Sequence, residues 1–431
     1  MLAPPLAAWL ARHRIHYGWV VVAICFLSAL CSSAALGLPG ALLQPLSREF
    51  GWPVDDISTA LAVRFALFGL MGPFAAILLE RLGLRKVMVA ALLLIAAGLL
   101  LTTRMTQFWQ LVLLMGVLLG VGSGMTALVL NAIVANRWFD RQRGLVIGVL
   151  TASSATGQLI FLPAGAWLIE HGGWRMALAP VLSSCALVAV AALLLMRDRP
   201  ADLGLRPFGA AGRDAPAAAA AAPRRPAWSA PFAVLAAASG SRTFWLLAGT
   251  FFICGLSTNG LIQSHFISLC GDAGLGAVPA ASVLAMMGAF DLVGTIASGW
   301  LSDRYDNRKL LFWYYGLRGL SLFWLPYSGF TLYGLSLFAL FYGLDWIATV
   351  APTVKLVAQR FGKDNAGLVF GWIFAAHQLG AATAAFGAGR IRTLMMTYNP
   401  ALFAAGAACL VAALMALAIR RQRPVAAPLA A

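Results

Sequence analysis

Acidic residues are scarce in this chain. Only 15 Asp and Glu stand against 31 Lys and Arg in 431 residues, and charged residues of either sign make up 11%. Hydrophobic residues make up 61%, far more than one soluble core of this length buries, which excludes an ordinary water-soluble enzyme. Cysteine is sparse too: Cys25, Cys31, Cys185, Cys254, Cys270 and Cys409 lie in or at the ends of apolar runs, with no CxxC and no Cys/His cluster. They imply no disulfide framework and no metal site. HExxH, GxSxG, a paired His/Asp set and an ATP-binding P-loop are all missing. The sequence therefore points away from an enzyme, implies no cofactor, and leaves a gradient as the energy source for any pumping. A formal charge of +16 would suggest nucleic acid if the cations sat on a polar surface. Here they sit between long apolar runs, which points to a lipid bilayer and to no nucleic-acid partner.

A helix needs roughly 20 apolar residues to cross a bilayer. About twelve such runs are bounded by charge, Pro or Gly: Tyr17–Leu38, Ile57–Leu79, Val87–Leu101, Trp109–Ala135, Gly144–Ile169, Trp174–Met196, Phe244–Leu269, Val278–Leu301, Leu310–Leu325, Leu332–Val354, Ala366–Gly389 and Ala401–Ile419. The first follows Arg12, His13 and Arg14, as a signal peptide would. It is long, lacks a clean A-x-A site and precedes many further spans, so it reads as a retained first helix. With the N-terminus placed in the cytoplasm, 24 of the 31 basic residues fall on that side, five fall outside (Arg48, Arg104, Arg175, Arg390, Arg392), and Arg64 and Arg318 lie within spans. The expectation is a multi-pass protein of the plasma membrane, the inner membrane in a bacterium, with both termini cytoplasmic. Arg197 to Ser241 is the only long polar stretch, and its Ala/Pro/Arg segment from Ala210 to Pro226 reads as a mobile linker in which the run Ala217–Ala222 could form a short helix between prolines. The chain divides into residues 1–196, a linker at 197–241, and residues 242–431.

An internal repeat supports that division. The segment Ala76 to Lys86 and the segment Gly299 to Lys309 match in a small first residue, an acid-Arg pair (Glu80-Arg81, Asp303-Arg304) and an Arg-Lys pair (Arg85-Lys86, Arg308-Lys309) at identical spacing, each after the second span of its half. This pattern resembles the loop signature G-x-x-x-D-R-x-G-x-R-R/K of the major facilitator superfamily. The first copy departs at Ala76 and Glu80, the second at Asp306. The resemblance implies an all-α membrane protein with twelve transmembrane helices in two pseudo-symmetric six-helix bundles. It casts Glu80, Arg81, Arg85, Asp303, Arg304 and Arg308 as conformational-switch residues, whose ion pairs form in one state and break in another. Further segments are similar to the monocarboxylate and oxalate/formate-type porters: His16 to Val21, Arg137-Trp138-Phe139 with Arg143-Gly144, Gly173-Trp174-Arg175, and Arg199 to Gly204. In that branch span eight commonly carries Asp and Arg one turn apart; here the positions hold Asp291 and Thr295.

A charge at the centre of a membrane helix costs roughly 2.5–3.5 kcal/mol on insertion scales, so each one inside a span is a functional candidate. Arg64, Asp291, Arg318 and Asp345 are such charges, with His265 and His377 beside them. Helical spacing places Asn259 with Gln263, and Thr258 with His265, on one polar flank of span seven. It likewise puts Trp346 beside Asp345 in span ten, and His377 with Gln378 in span eleven. The expected substrate-binding set is Arg64, Asn131, Gln158, Asn259, Gln263, His265, Trp346, His377 and Gln378. Asp291 and Asp345 are the expected proton-coupling sites, since a desolvated carboxyl can link protonation to binding. Two alternatives stand for Arg318: compensation of Asp291 or Asp345, or a place in the cavity in lieu of the missing span-eight Arg. Lys355 reads as an interface anchor or, alternatively, an anion ligand. The sequence thus predicts a secondary transporter, monomeric by analogy, that moves a small polar or anionic metabolite such as an organic acid with protons as coupling ion. The alternatives are an efflux pump for drug-like or amphipathic compounds, and a transporter-like sensor.

Overall fold

The computed structural model describes residues 3–126, 129–210 and 228–420. Eleven helices among them are long and apolar enough to cross a membrane. In chain order these are span one (Gly18–Phe50), two (Val54–Leu82), three (Leu84–Thr102), four (Phe108–Met125, continued by Val129–Trp138), five (Arg143–Gly172), six (Trp174–Leu195), seven (Arg242–Asp272), eight (Ala277–Arg304), ten (Leu332–Phe361), eleven (Asn365–Met395) and twelve (Asn399–Leu417). Span nine, Asn307–Trp324, has 18 residues and includes Arg308, Lys309 and Arg318, which lower its apolar character. It takes its place by packing on span twelve, where a Cβ added at Gly319 would lie 2.8 Å from the Gly406 carbonyl oxygen.

Several boundaries differ from expectation, each for a local reason. Span one continues past Leu38, because Leu38 keeps helical φ −56° and ψ −38° and Pro39 occupies the first turn of Pro39–Phe50. There its missing N–H costs nothing. Gly51, at φ +69°, then ends the helix. The stretch expected as a linker, 197–241, is built structure at both of its ends. Residues 197–210 dock on the first half: the Phe208 N–H donates to the Trp138 carbonyl at 2.8 Å, the Asp140 N–H to the Phe208 carbonyl at 2.9 Å, and the Arg85 N–H to Asp198 Oδ1 at 2.9 Å. A further helix, Ala230–Ser239, precedes span seven. Residues 211–227, with most of the Ala210–Pro226 segment and the whole Ala217–Ala222 run, lie outside the described residues.

The two six-helix halves meet along two helix pairs. Spans two and eleven run antiparallel in contact over much of their length, from Ser58 against Gly389, through Gly69 against Gln378 and Phe68 against Phe374, to Phe74 against Trp372. Spans five and eight form the second pair, with Gly288 near the Ala155 carbonyl and the Val278 N–H donating to Glu170 Oε1 at 3.4 Å. Call the end that carries the 80–86 and 303–309 loops the basic end. At the other end the halves are shut: Gly40 lies on the Gln263 and Ser264 backbone, Gln44 Nε2 donates to the Ser268 carbonyl at 3.4 Å, and Asp55 accepts from Arg390 at 2.8 Å and Thr393 at 3.1 Å. Toward the basic end they part. Gly144, Gly148 and Gly299 have no neighbour within 4 Å of an added Cβ, and spans four and ten form no packed pair among the described residues.

The Asp55–Arg390 pair joins the halves and is half solvated on the arginine side, 54% exposed, so its worth is about 1 kcal/mol. Asp55→Asn is expected to raise the labelling rate of a cysteine placed at buried Ser58, beneath this contact, by up to about fivefold. An unchanged rate would show that the pair does not hold this end shut.

Candidate functional site

The first half supplies one buried cation. Arg64, mid-way along span two, is 1% exposed, and its guanidinium sits over the ring of Phe65 at 4.6 Å. Span four approaches it closely because position 120 is glycine: a Cβ there would lie 2.7 Å from the Arg64 carbonyl oxygen. Nε and Nη1 of Arg64 make no hydrogen bond among the described residues. Nor does the sequence provide an acid inside any span of this half, since Glu49, Asp55, Asp56, Glu80 and Glu170 all lie at span ends. Four more buried polar atoms of the half are unpartnered among the described residues, Ser28 Oγ, Ser123 Oγ, Asn131 Oδ1 and Trp138 Nε1, on spans one and four. Buried charge without a partner is costly, which makes Arg64 the candidate binding group of this half.

The second half is organised differently. Arg318 is fully spent on the protein: Nε donates to Asp345 Oδ2 at 2.7 Å, Nη1 to Cys254 Sγ at 2.9 Å, and Nη2 to the carbonyls of Asp345 at 2.5 Å and Trp346 at 3.2 Å. Its choice between the two carboxylates is thus Asp345. Asp291 instead accepts the Ile347 N–H at 2.8 Å and the Thr295 hydroxyl at 3.2 Å. The threonine in the usual arginine position therefore serves the aspartate rather than a ligand.

The remaining candidates fall into three groups. Gln158 and Gln263, from opposite halves, converge on Gly37, each 3.9 Å from where a Cβ would stand. His377 and Gln378 lie where span eleven crosses spans seven and two. His377 stacks on Phe374 at 5.9 Å with its Nδ1 unpartnered, and buried Gln378 leaves Oε1 unpartnered against Gly69. Trp346 is 8% exposed and meets Tyr342 edge-on at 5.6 Å.

Span seven corrects its expected flank. Residues Leu256–Gln263 form wider i→i+5 turns, which rotate everything that follows. Asn259 stays half-buried, while His265 turns away from it. Both His265 ring nitrogens are engaged, Nδ1 with the Tyr398 hydroxyl at 3.2 Å and Nε2 with the Ala385 carbonyl at 2.8 Å. No 3.6-residue pattern reveals such a stretch.

At the basic end the repeated loops carry their charges differently. Asp303 pairs with Lys355 of span ten, so the lysine has a carboxylate partner. Arg304 folds over Trp300 at 4.1 Å. Arg308 pairs with Asp306 at 2.8 Å and donates to the Ile419 carbonyl at 2.9 Å. In the first copy Arg81 lies over the Trp228 ring at 5.0 Å, and Glu80 lies within charge range of Arg137 at the end of span four. An acid ending the second span of each half thus faces a cation ending its fourth. Helical spacing sets Ser298 on the stripe of Asp291 and Thr349 on that of Asp345, but not their partners, the Ala348 carbonyl and Cys254; Asp198 and Cys254, which act through contacts distant in sequence and have no motif, were missed as functional residues.

The sequence model of one family, described as the Major Facilitator Superfamily, matches residues 25–385. Among curated relatives, the chain is similar to the MFS-type transporter YcxA of Bacillus subtilis, with 24% identity over 86% of this chain and 87% of that protein. It is also similar to monocarboxylate transporter 13 of Bos taurus, with 26% identity over 94% and 88%. Monocarboxylate transporter 12-B of Danio rerio matches with 24% identity over 87% and 79%.

Proposed function

Since the chain belongs to the Major Facilitator Superfamily, we propose that this membrane transporter moves a small organic acid by alternating access of its two halves, with protons as the coupling ion. The observation that carries the proposal is Arg64: a buried guanidinium with Nε and Nη1 unpartnered, in a half whose spans hold no interior acid. A carboxylate is the organic group that best matches it, through charge-assisted and bidentate hydrogen bonds. Relatives named as monocarboxylate transporters favour the same chemistry. Arg318 does not compete, because Asp345 already neutralises it.

In this account Arg64 takes the carboxylate. Asn131, Gln158, Asn259, Gln263, Trp346, His377 and Gln378 surround the rest of the substrate, and His265 braces span seven on spans eleven and twelve. Asp291 and Asp345 take and release the proton. The excess of cations at the basic end supports a cytoplasmic position for that end and for both termini, in a bacterial inner membrane. The protein works as a monomer.

Thermal shifts of the detergent-purified protein at pH 5.5 and 7.5, against small carboxylates, amino acids, sugars and hydrophobic drugs, test the substrate class. Stabilisation by a carboxylate family is expected, and stronger at pH 5.5. Stabilisation by amphipathic drugs alone would replace the organic acid with an efflux substrate. Proton coupling has its own test: Asp291→Asn and Asp345→Asn are each expected to abolish uptake driven by a pH gradient; exchange of substrate without a gradient persists in Asp291→Asn, whereas Asp345→Asn also strips Arg318 of its partner and lowers the melting temperature. Full gradient-driven uptake in both variants would refute the coupling assignment.

A further inference from the structure

Span ten is not one helix. It runs from Leu332 to Asp345, passes through a turn at 346–349, and resumes from Val350 to Phe361. Its cause is visible in the sequence: Pro352 has no N–H to give the carbonyl four residues earlier, that of Ala348, and its ring crowds the same carbonyl. Backbone groups freed in this way inside a membrane must find partners in the protein, since lipid offers none.

Those partners come from spans eight and nine. The Ser298 hydroxyl donates to the Ala348 carbonyl at 2.6 Å, replacing the donor that Pro352 lacks. Asp291 Oδ1 accepts the Ile347 N–H at 2.8 Å. Arg318 Nη2 holds the carbonyls of Asp345 and Trp346. Close approach is built in, for a Cβ at Gly294 of span eight would fall 1.9 Å from the Leu344 carbonyl oxygen. Below the turn, Val350–Phe361 leads to the basic end, where the halves part, and there Lys355 ties it again to span eight through Asp303.

The geometry points to the 346–349 turn as a hinge on which Val350–Phe361 swings when the basic end opens and closes, and to Ser298 as the positioning residue that sets its angle. Ser298 is 1% exposed and its hydroxyl is committed to Ala348, so it acts on span ten and not on substrate. The inference rests on transport only in requiring that this end move; the identity of the substrate does not enter.

The test uses the full chain with spin labels on Lys86→Cys and Gln359→Cys, both exposed positions at the basic end. All six native cysteines are buried, which keeps the labels at the introduced sites. Electron-electron distances measured without substrate are expected to be narrowly distributed with Ser298 intact. Ser298→Ala should broaden them or add a second population, and Ser298→Thr, which keeps the hydroxyl, should restore them. In a Pro352→Ala background the Ala348 carbonyl regains a helical donor, so Ser298→Ala should be silent there. Where a ligand is in hand, Ser298→Ala should change turnover by about fivefold or more and leave its affinity within about twofold. Unchanged distances in Ser298→Ala, or the same broadening with and without Pro352, would overturn the hinge. Neither result depends on whether Arg64 binds an anion, so the two ideas fail separately.

Discussion

Replacing Arg64 by glutamine is expected to stabilise the ligand-free protein and to abolish its response to carboxylates. The two effects have one cause. Nε and Nη1 of a fully buried guanidinium go without a partner, so the folded state carries a desolvated charge that a neutral amide removes. With an unfolding entropy of about 2.1 cal/mol/K per residue, each 1 kcal/mol recovered raises the melting temperature of a 431-residue protein by about 1 °C. With substrate present the balance reverses, because a charge-assisted hydrogen bond to the carboxylate contributes about 1.5–3 kcal/mol, or about 10- to 150-fold in affinity. Arg64→Lys should keep part of the affinity, since an ammonium retains the charge and loses the planar fork. A lower melting temperature for the ligand-free glutamine variant would mean that the protein itself satisfies the guanidinium. Unaltered carboxylate binding would remove Arg64 from the site.

Arg318→Ala is expected to have the largest effect on stability. Asp345 would be left as a buried carboxylate without its cation, and the carbonyls of Asp345 and Trp346 would lose their donor. Removing one partner of a buried pair costs about 3–5 kcal/mol. Arg318→Lys should recover little, because one ammonium cannot reach Asp345 Oδ2, two carbonyls and the Cys254 sulfur together. The double variant Arg318→Met/Asp345→Leu removes both charges and should regain most of the loss, short of the two carbonyls. Melting temperatures of the three variants decide the matter: a single variant as stable as the native protein would show that the pair does not brace spans nine and ten.

Much of this architecture is legible in the residues. Apolar length gives the spans, the matched loops at 80–86 and 303–309 give the duplication, and the rarity of charge inside spans singles out Arg64, Asp291, Arg318 and Asp345. What stays hidden involves contacts between distant segments. Spacing alone offered Arg318 two carboxylates, and only the approach of span nine to the broken span ten selects Asp345. Asp291 resembles a ligand-binding acid in sequence, yet in the fold it also holds the Ile347 amide. His265 shares a helical stripe with Thr258 on paper, but the wide turns of Leu256–Gln263 bring it against Tyr398 and Ala385. Pro352 was a visible signal for the break in span ten. Its consequence follows only from Ser298, fifty residues before Ala348 in sequence, which supplies the missing donor.

The most direct measurement is uptake of a carboxylate identified by thermal shift into liposomes containing the purified protein, with and without an inward proton gradient. The account predicts saturable accumulation above equilibrium with the gradient, only equilibration without it, and neither in Arg64→Gln. Accumulation that ignores the gradient, or that persists in Arg64→Gln, would contradict it.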